Sequence, residues 1–416
     1  MMKRLLCIFF AALLLCACTA RPAPTIQPTE EPEQMTFIPI PEIHGYADFS
    51  DALCAKLLDG AGNRNLSPIS VYLALAMVAE GAKGETQTAM LTLLGVGSLS
   101  ELRGVCGAML SDFPVDSEDA SLAFADSLWM ADRAGTLTFR DDYLKVLGDV
   151  YRSEANTVRF DTEAASKQIA DWITGHTRGK IRISADALQY DPSTVAVLIN
   201  TIYLKAAWID AFDESATEPG TFDGADGKQT VSYMNRQDKD VRIVKGDGFL
   251  RYSLRLSRIG CMTFVLPDEG IALSDLLGTP EKLHALLHDG EELHADVSVK
   301  LPKFAFQDRS DLENVLKALG IGVAFTSDAD FSGMCVDKDD IAITRVLQES
   351  FIDVNEMGVE AAAYTMVAMA DGCVLLPEDL PKIDFHLTRP FLYVIEARDG
   401  TVLFIGTVAE PTPAEE

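Results

Sequence analysis

The sequence predicts an α+β fold, and three observations carry that expectation. Helical periodicity fills the first part of the chain, strand patterns dominate from Thr194 onward, and the two neither alternate regularly nor repeat. Of 416 residues 48% are hydrophobic and 24% charged, a balance that supplies a large core without a disordered composition. The length permits two domains, but no Pro/Gly-rich linker interrupts the chain after His44, so one large domain is expected over residues 44–411, followed by a short tail at 412–416.

Taken in order, apolar residues recur at helical spacing from Tyr46 to Leu58, Ile69 to Glu80, Thr86 to Leu94, Leu99 to Leu110, Arg140 to Val150 and Thr162 to His176. Ser67-Pro68 ahead of Ile69, Leu73, Ala76 and Met77 reads as a helix start. Ser67 is placed as the cap and Pro68 at the first helical position, where its missing N–H costs nothing. Strand patterns run from Val195 to Trp208, Lys228 to Met234, Val241 to Val244, Phe249 to Leu256, Met262 to Leu266 and Ala295 to Leu301. A final pair follows from Phe391 to Ala397 and from Val402 to Val408.

The segment from Asn355 to Met369 is the most informative. From Val359, every second residue (Val359, Ala361, Ala363, Thr365, Val367, Met369) is small or apolar, while Glu360 and Tyr364 fall on the opposite face. Such a period suits a strand with one face on a core. Leu347 to Asn355 reads as a separate strand with Ser350, Ile352 and Val354 on one face, and the phase changes from even to odd across Gly358. A phase break at glycine marks a turn between two strands. Beyond Met369, Ala370 to Pro390 carries Asp-Gly and Leu-Pro steps that favour loop. A potential strand is thus tethered to an exposed loop.

These residues resemble the hinge and reactive-centre loop of the serpin family. Glu356, Gly358, Glu360, Ala361, Ala362, Ala363 and Thr365 match the family pattern, with Val359 where a hydroxyl residue is usual and Tyr364 where a small one is usual. The resemblance extends from about His44 to Pro411. It includes Asn65-Leu-Ser-Pro-Ile-Ser, Asn200 to Phe212 with Lys205 and Trp208 in register and Ala206 in place of the usual Gly, Leu301-Pro-Lys-Phe, Asp330-Phe-Ser-Gly-Met and Arg389-Pro-Phe-Leu-Tyr. It implies the serpin fold: helices, a large mainly antiparallel main sheet, smaller sheets and an exposed reactive-centre loop at about 356–390. Ser67, Ser70 and Asn200 are then expected under the middle of that sheet, and Trp208 at its top. With Gln348, which stands where many animal members have His, they are expected to control how the sheet opens.

The implied function is suicide inhibition of serine proteases: the loop is cut, an acyl-enzyme forms, and the freed hinge inserts into the main sheet. Family spacing from Glu356 places the scissile bond at Gly372-Cys373, with Met369-Ala370, Cys373-Val374 and Leu375-Leu376 as alternatives. None puts Arg or Lys before the bond, so elastase-like, subtilisin-like or chymotrypsin-like targets are expected over trypsin-like ones, with a cysteine protease as a lesser alternative. The competing reading is a non-inhibitory serpin acting as a surface binding protein; proline residues in the hinge, or charged ones besides the family-pattern Glu356 and Glu360, would favour it, and there are none before Asp371. No Gly-x-Ser-x-Gly, metal or phosphate-loop motif points to an enzyme, and neither cofactor nor metal is expected.

At the N-terminus, Met1-Met-Lys-Arg followed by apolar Leu5 to Leu15 has the form of an export signal too short for a comfortable span. Leu15-Cys-Ala-Cys18 resembles the bacterial lipobox, which implies a signal over residues 1–17 and lipidation of Cys18; cleavage after Ala17 or Ala20 is the alternative. The Pro-rich residues 18–43 are expected to be an extended tether, and the protein a lipid-anchored monomer outside the cytoplasm. Net charge is −28, or −30 from 33 basic and 63 acidic residues once Lys3 and Arg4 are removed. That excess argues against nucleic acid or heparin-like partners. Cys54, Cys106, Cys261, Cys335 and Cys373 show no CxxC spacing, so neither a zinc cluster nor a thioredoxin motif is indicated.

Overall fold

In the computed structural model the described residues are 45–132, 138–185, 188, 190, 194–336, 341–343, 346–359 and 380–411. In chain order the elements are α1 (Tyr46–Leu57), β1 (Arg64–Leu66), α2 (Pro68–Gly81), α3 (Gly84–Leu93), α4 (Leu99–Asp112), β2 (Val115–Asp116), β3 (Ala120–Ala131), α5 (Asp141–Asp149), β4 (Glu154–Val158), α6 (Glu163–His176) and β5 (Ala196–Ala207). Then come β6 (Glu218–Gly224), β7 (Gly227–Lys245), β8 (Phe249–Leu256), β9 (Gly260–Pro267), α7 (Leu273–Leu276), α8 (Pro280–His288), β10 (Glu291–Pro302), β11 (Phe304–Asp311), α9 (Glu313–Leu316), β12 (Leu347–Asn355), β13 (Gly358–Val359), β14 (Lys382–His386), β15 (Phe391–Ala397) and β16 (Val402–Val408).

The fold is α+β, as expected, with two sheets among the described residues. One runs β1-β16-β15-β9-β8-β7-β10-β14 with β6 on β7; the other runs β11-β12-β13-β5-β3-β2 with β4 on β3. Pairing is antiparallel apart from β10 with β14 and β3 with β4. Helix α2 is buried almost all round, which is why its sequence shows little amphipathic contrast; it passes beneath both sheets, touching β5 and β16. Its apolar residues Leu73, Ala76 and Met77 join the main core with Leu204 of β5 and Phe404 of β16. On the other face of the second sheet, Ala165, Ile169 and Ile173 of α6 pack with Trp129 and Val158.

Two strand expectations are corrected. Ala120–Ala131 and Glu154–Val158 are strands in the part of the chain read as helical. β3 is covered by α6 on one face and the main core on the other, so its sequence carries no clean alternation. Lys228 to Met234 and Val241 to Val244 are one strand, β7, interrupted by a bulge: Asp240 has φ 47° and the register against β10 shifts between Ala295 and Val297.

Candidate functional site: a two-residue strand between β12 and β5

Alternation in β12 buries Gln348, Ser350, Ile352 and Val354 on one face. The chain then reverses through Glu356 and Met357, with the Met357 N–H donating to Asn355 Oδ1 at 3.0 Å, a local bond that favours a turn. The returning residues form β13. Val359 and Gly358 pair with Val354 and Asn355 of β12 on one side, and with Ala206 and Ala207 of β5 on the other. Gly358 is required here. Its φ is 150°, and a Cβ would lie 2.1 Å from the carbonyl oxygen of Ala206.

The turn is fastened from several directions. The Trp208 N–H donates to Met357 O at 2.9 Å, its indole Nε1 to Asn355 O at 2.9 Å, and the Phe212 N–H to Glu356 O at 3.0 Å. Trp208 is 1% exposed, with its ring edge-on to Phe212. The Glu356 carboxylate accepts from Thr217 Oγ1 at 2.8 Å and pairs with Lys303 Nζ at 3.0 Å. Burial pushes the Glu356 carboxyl up, but its backbone hydrogen bonds, Lys303 and Thr217 outweigh burial and hold it below its ordinary value.

Below Val359, no direct β5–β12 pairing occurs among the described residues. A narrow cleft lies there, lined by Ile202, Tyr203 and Leu204 of β5, by Phe351 and Ile352 of β12, and by Ile395 and Phe404. Thr177, Lys180 and Ile181, just past α6, line it from above. Arg178 stacks on Tyr203 at 4.6 Å while Lys180 lies over Phe351 at 5.4 Å, so this crossover segment touches both walls.

Of the residues expected to control sheet opening, Gln348 lies on β12, Asn200 on β5, and Ser67 and Ser70 at the start of α2. Gln348 of β12 is tied to the start of α2: the Ser67 N–H donates to Gln348 Oε1 at 3.1 Å and Gln348 Nε2 donates to Ser67 O at 2.7 Å. Beside it, Ser350 Oγ donates to Asn65 O. Ser67 occupies the cap position with Pro68 after it, but its hydroxyl makes no capping bond; it donates instead to Leu403 O of β16 at 2.9 Å. The buried Ser70 hydroxyl has no partner among the described residues. Asn200 of β5 donates from Nδ2 to Asp126 Oδ1 of β3 at 2.6 Å.

Glu360, Ala361, Ala362, Ala363, Thr365, Gly372, Cys373 and Cys18 lie outside the described residues. Sequence reasoning missed Asn355, Thr217, Lys303 and Asp126, whose roles arise from partners far away in the chain. Cys54 and Cys106 are buried free thiols pushed well above their ordinary value by burial, and burial takes Cys261 to about 11, so none of the three is an activated nucleophile.

Residues 44–411 match the family model for serpin (serine protease inhibitor). Serpin B8 of Homo sapiens is 32% identical over 362 residues, covering 85% of this chain and 94% of that relative. Serpin-Z1C of Triticum aestivum is 31% identical over 372 residues, covering 84% and 90%. Among solved structures, the thermophilic serpin tengpin in its native state superposes with a TM-score of 0.76 at 27% identity, covering 88% of this chain and 94% of that one. With the family model spanning nearly the whole described chain and relatives above 30% identity covering most of it, the chain belongs to the serpin family.

Proposed function

We propose that this protein is an exported, lipid-anchored suicide inhibitor of serine proteases. The observation that carries the reading is β13: two hinge residues already occupy a strand position between β12 and β5, directly above a cleft with walls belonging to those same strands. The residues that follow in sequence, Ala361, Ala363, Thr365 and Val367, have the small inward-facing pattern that a lengthening strand needs.

In this mechanism the protease serine Oγ adds to the carbonyl carbon before the scissile bond. The amine leaves with the C-terminal segment and an ester joins the protease to the new chain end. The released hinge then extends β13 down the cleft, exchanging water-exposed backbone for ladder hydrogen bonds on two sides. About 14 residues at roughly 3.3 Å each would carry the protease on the order of 45 Å. Inhibition results when insertion outruns ester hydrolysis. Candidate bonds at Gly372-Cys373 and its neighbours suit proteases with apolar or small primary pockets, elastase-like, subtilisin-like or chymotrypsin-like, with cysteine proteases second. Cys18 and the Pro-rich tether would hold the inhibitor at a bacterial membrane or cell surface.

The test is to mix the chain with elastase-like and subtilisin-like proteases and record intact masses under denaturing conditions. An adduct of protease plus chain up to the cut, less water, with the C-terminal peptide released, is expected, and it locates the bond. Cleavage across the panel without an adduct would favour the non-inhibitory binding protein. In Ala363→Arg a charge must enter the cleft, so cleavage should persist while the adduct disappears; an unchanged adduct yield would count against insertion.

A further inference from the structure

Asp126 is an unusual group to find in the sheet. It is 3% exposed, it sits on β3 directly opposite Asn200 of β5 in register, and of the influences on its carboxyl, burial comes first and the Asn200 hydrogen bond second. The groups around it offer no charge to balance a carboxylate. On α4, the Cys106 thiol is buried and neutral. Behind it Glu80 is closed on Arg103 at 2.6 Å, and Tyr151 Oη donates to Glu80 at 3.0 Å. On α2, buried Ser70 carries a hydroxyl and no charge. On the α6 side, Trp129 donates its Nε1 to Ser127. Glu154 of β4, next to the following residue of β3, faces Trp172 and His176.

The second observation is on the partner. Asn200 Nδ2 donates to Asp126 Oδ1 at 2.6 Å, yet Asn200 Oδ1 is buried with no donor among the described residues. A buried amide oxygen left unpaired is costly. An ionised carboxylate is acceptor-only and cannot serve it, whereas a neutral carboxyl has one O–H to give. An acid and a primary amide face to face then exchange two bonds, N–H to carbonyl oxygen and O–H to amide oxygen, and the orphan disappears.

We propose that Asp126 is a positioning residue held in its protonated form, closing a two-bonded acid–amide pair with Asn200, and that loss of its proton loosens the sheet beside the cleft. Burial pushes this carboxyl up to about 7, which places the loss near neutral pH. The sign follows from linkage: a carboxyl raised in the folded state stabilises it fully below the unfolded value. That contribution is lost as pH rises from there through the folded value. Gln348 of β12 carries no titratable group, and the carboxyl on β3, joined to the β5 wall through Asn200, supplies a proton-sensitive element beside the cleft. The consequence for loop entry rests on the inhibitor reading; the proton on Asp126 does not.

The test compares the urea unfolding constant of the full chain at pH 5 and pH 8 with that of Asp126→Asn, which keeps the shape and stays neutral. The wild-type constant should rise about a hundredfold more over this interval than the variant's, since each unit of raised value is tenfold; parallel pH dependence overturns the proposal. Should the variant not fold, the carboxyl carbons of aspartate-labelled wild type are titrated by NMR. One midpoint above about 6 is expected, and all midpoints in the ordinary range near 4 overturn it. A chain that shows the shift but forms no protease adduct removes the inhibitor reading and leaves this proposal standing.

Discussion

Gly358→Ala is the most direct perturbation of the hinge. The added methyl would sit 2.1 Å from Ala206 O and 2.8 Å from Ala207 Cα, both backbone atoms of a strand paired on its other edge with β3, so neither can yield cheaply. Holding Ala at φ 150° adds backbone strain of about 1–3 kcal/mol, and forcing a methyl into filled space adds about 1–3 kcal/mol. A total near 3 kcal/mol corresponds to roughly a hundredfold in rate. The variant's ground state escapes this clash by releasing β13, whereas any inserted state must bear it, so the whole cost appears in the barrier to entry. The assay is the stoichiometry of inhibition with a protease that forms the adduct, alongside hydrogen exchange at Val359. Expected are many loops cleaved per protease trapped and loss of protection at Val359. Unchanged stoichiometry with unchanged protection would refute the steric reasoning.

Gln348→Ala should strip both side-chain bonds from the Ser67 backbone, leaving its buried N–H unpaired at about 1–3 kcal/mol and its C=O with only the long bond from the Val71 N–H at 3.4 Å; a lower urea midpoint and faster relaxation on warming check it. Lys303→Met should leave the Glu356 carboxylate without its cation and lower stability at neutral pH. Because Glu356 is held below its ordinary value, the stability it contributes is present above the unfolded value and lost as pH falls through the folded one. Wild type and variant should therefore converge in acid, and a gap that persists there would contradict the ion pair.

Much of the architecture was legible because period and length were unambiguous. The strands Phe391–Ala397 and Val402–Val408 begin and end where their short apolar runs do, and the early helices fall within a few residues of their apolar periods. β3 was illegible for a physical reason: buried on both faces over most of its length, its Ala-rich sequence has no polar side to set a period. At the site, the hinge pattern is local and could be read directly, including the phase break that becomes the turn at Gly358. The fastenings are not local. Nothing near Lys303 or Thr217 announces that each meets Glu356, and a lone Asp126 reads as a surface residue until β5 brings Asn200 opposite it.

The fastening of Ser67 to β16 has a consequence for biosynthesis. β1 pairs with β16, Asn65 opposite Gly406; Tyr393 Oη donates to Asn65 Oδ1 at 2.9 Å, and Ser67 depends on the carbonyl of Leu403. A segment made among the first residues of the domain is thus completed by almost the last ones. During translation α2 must wait for a partner more than three hundred residues downstream, a pairing of the most non-local and slowest kind. Until the ribosome has released β16, the Ser67 end of the latch on the sheet is unfinished, and a nascent chain stalled before Val402 would leave it so.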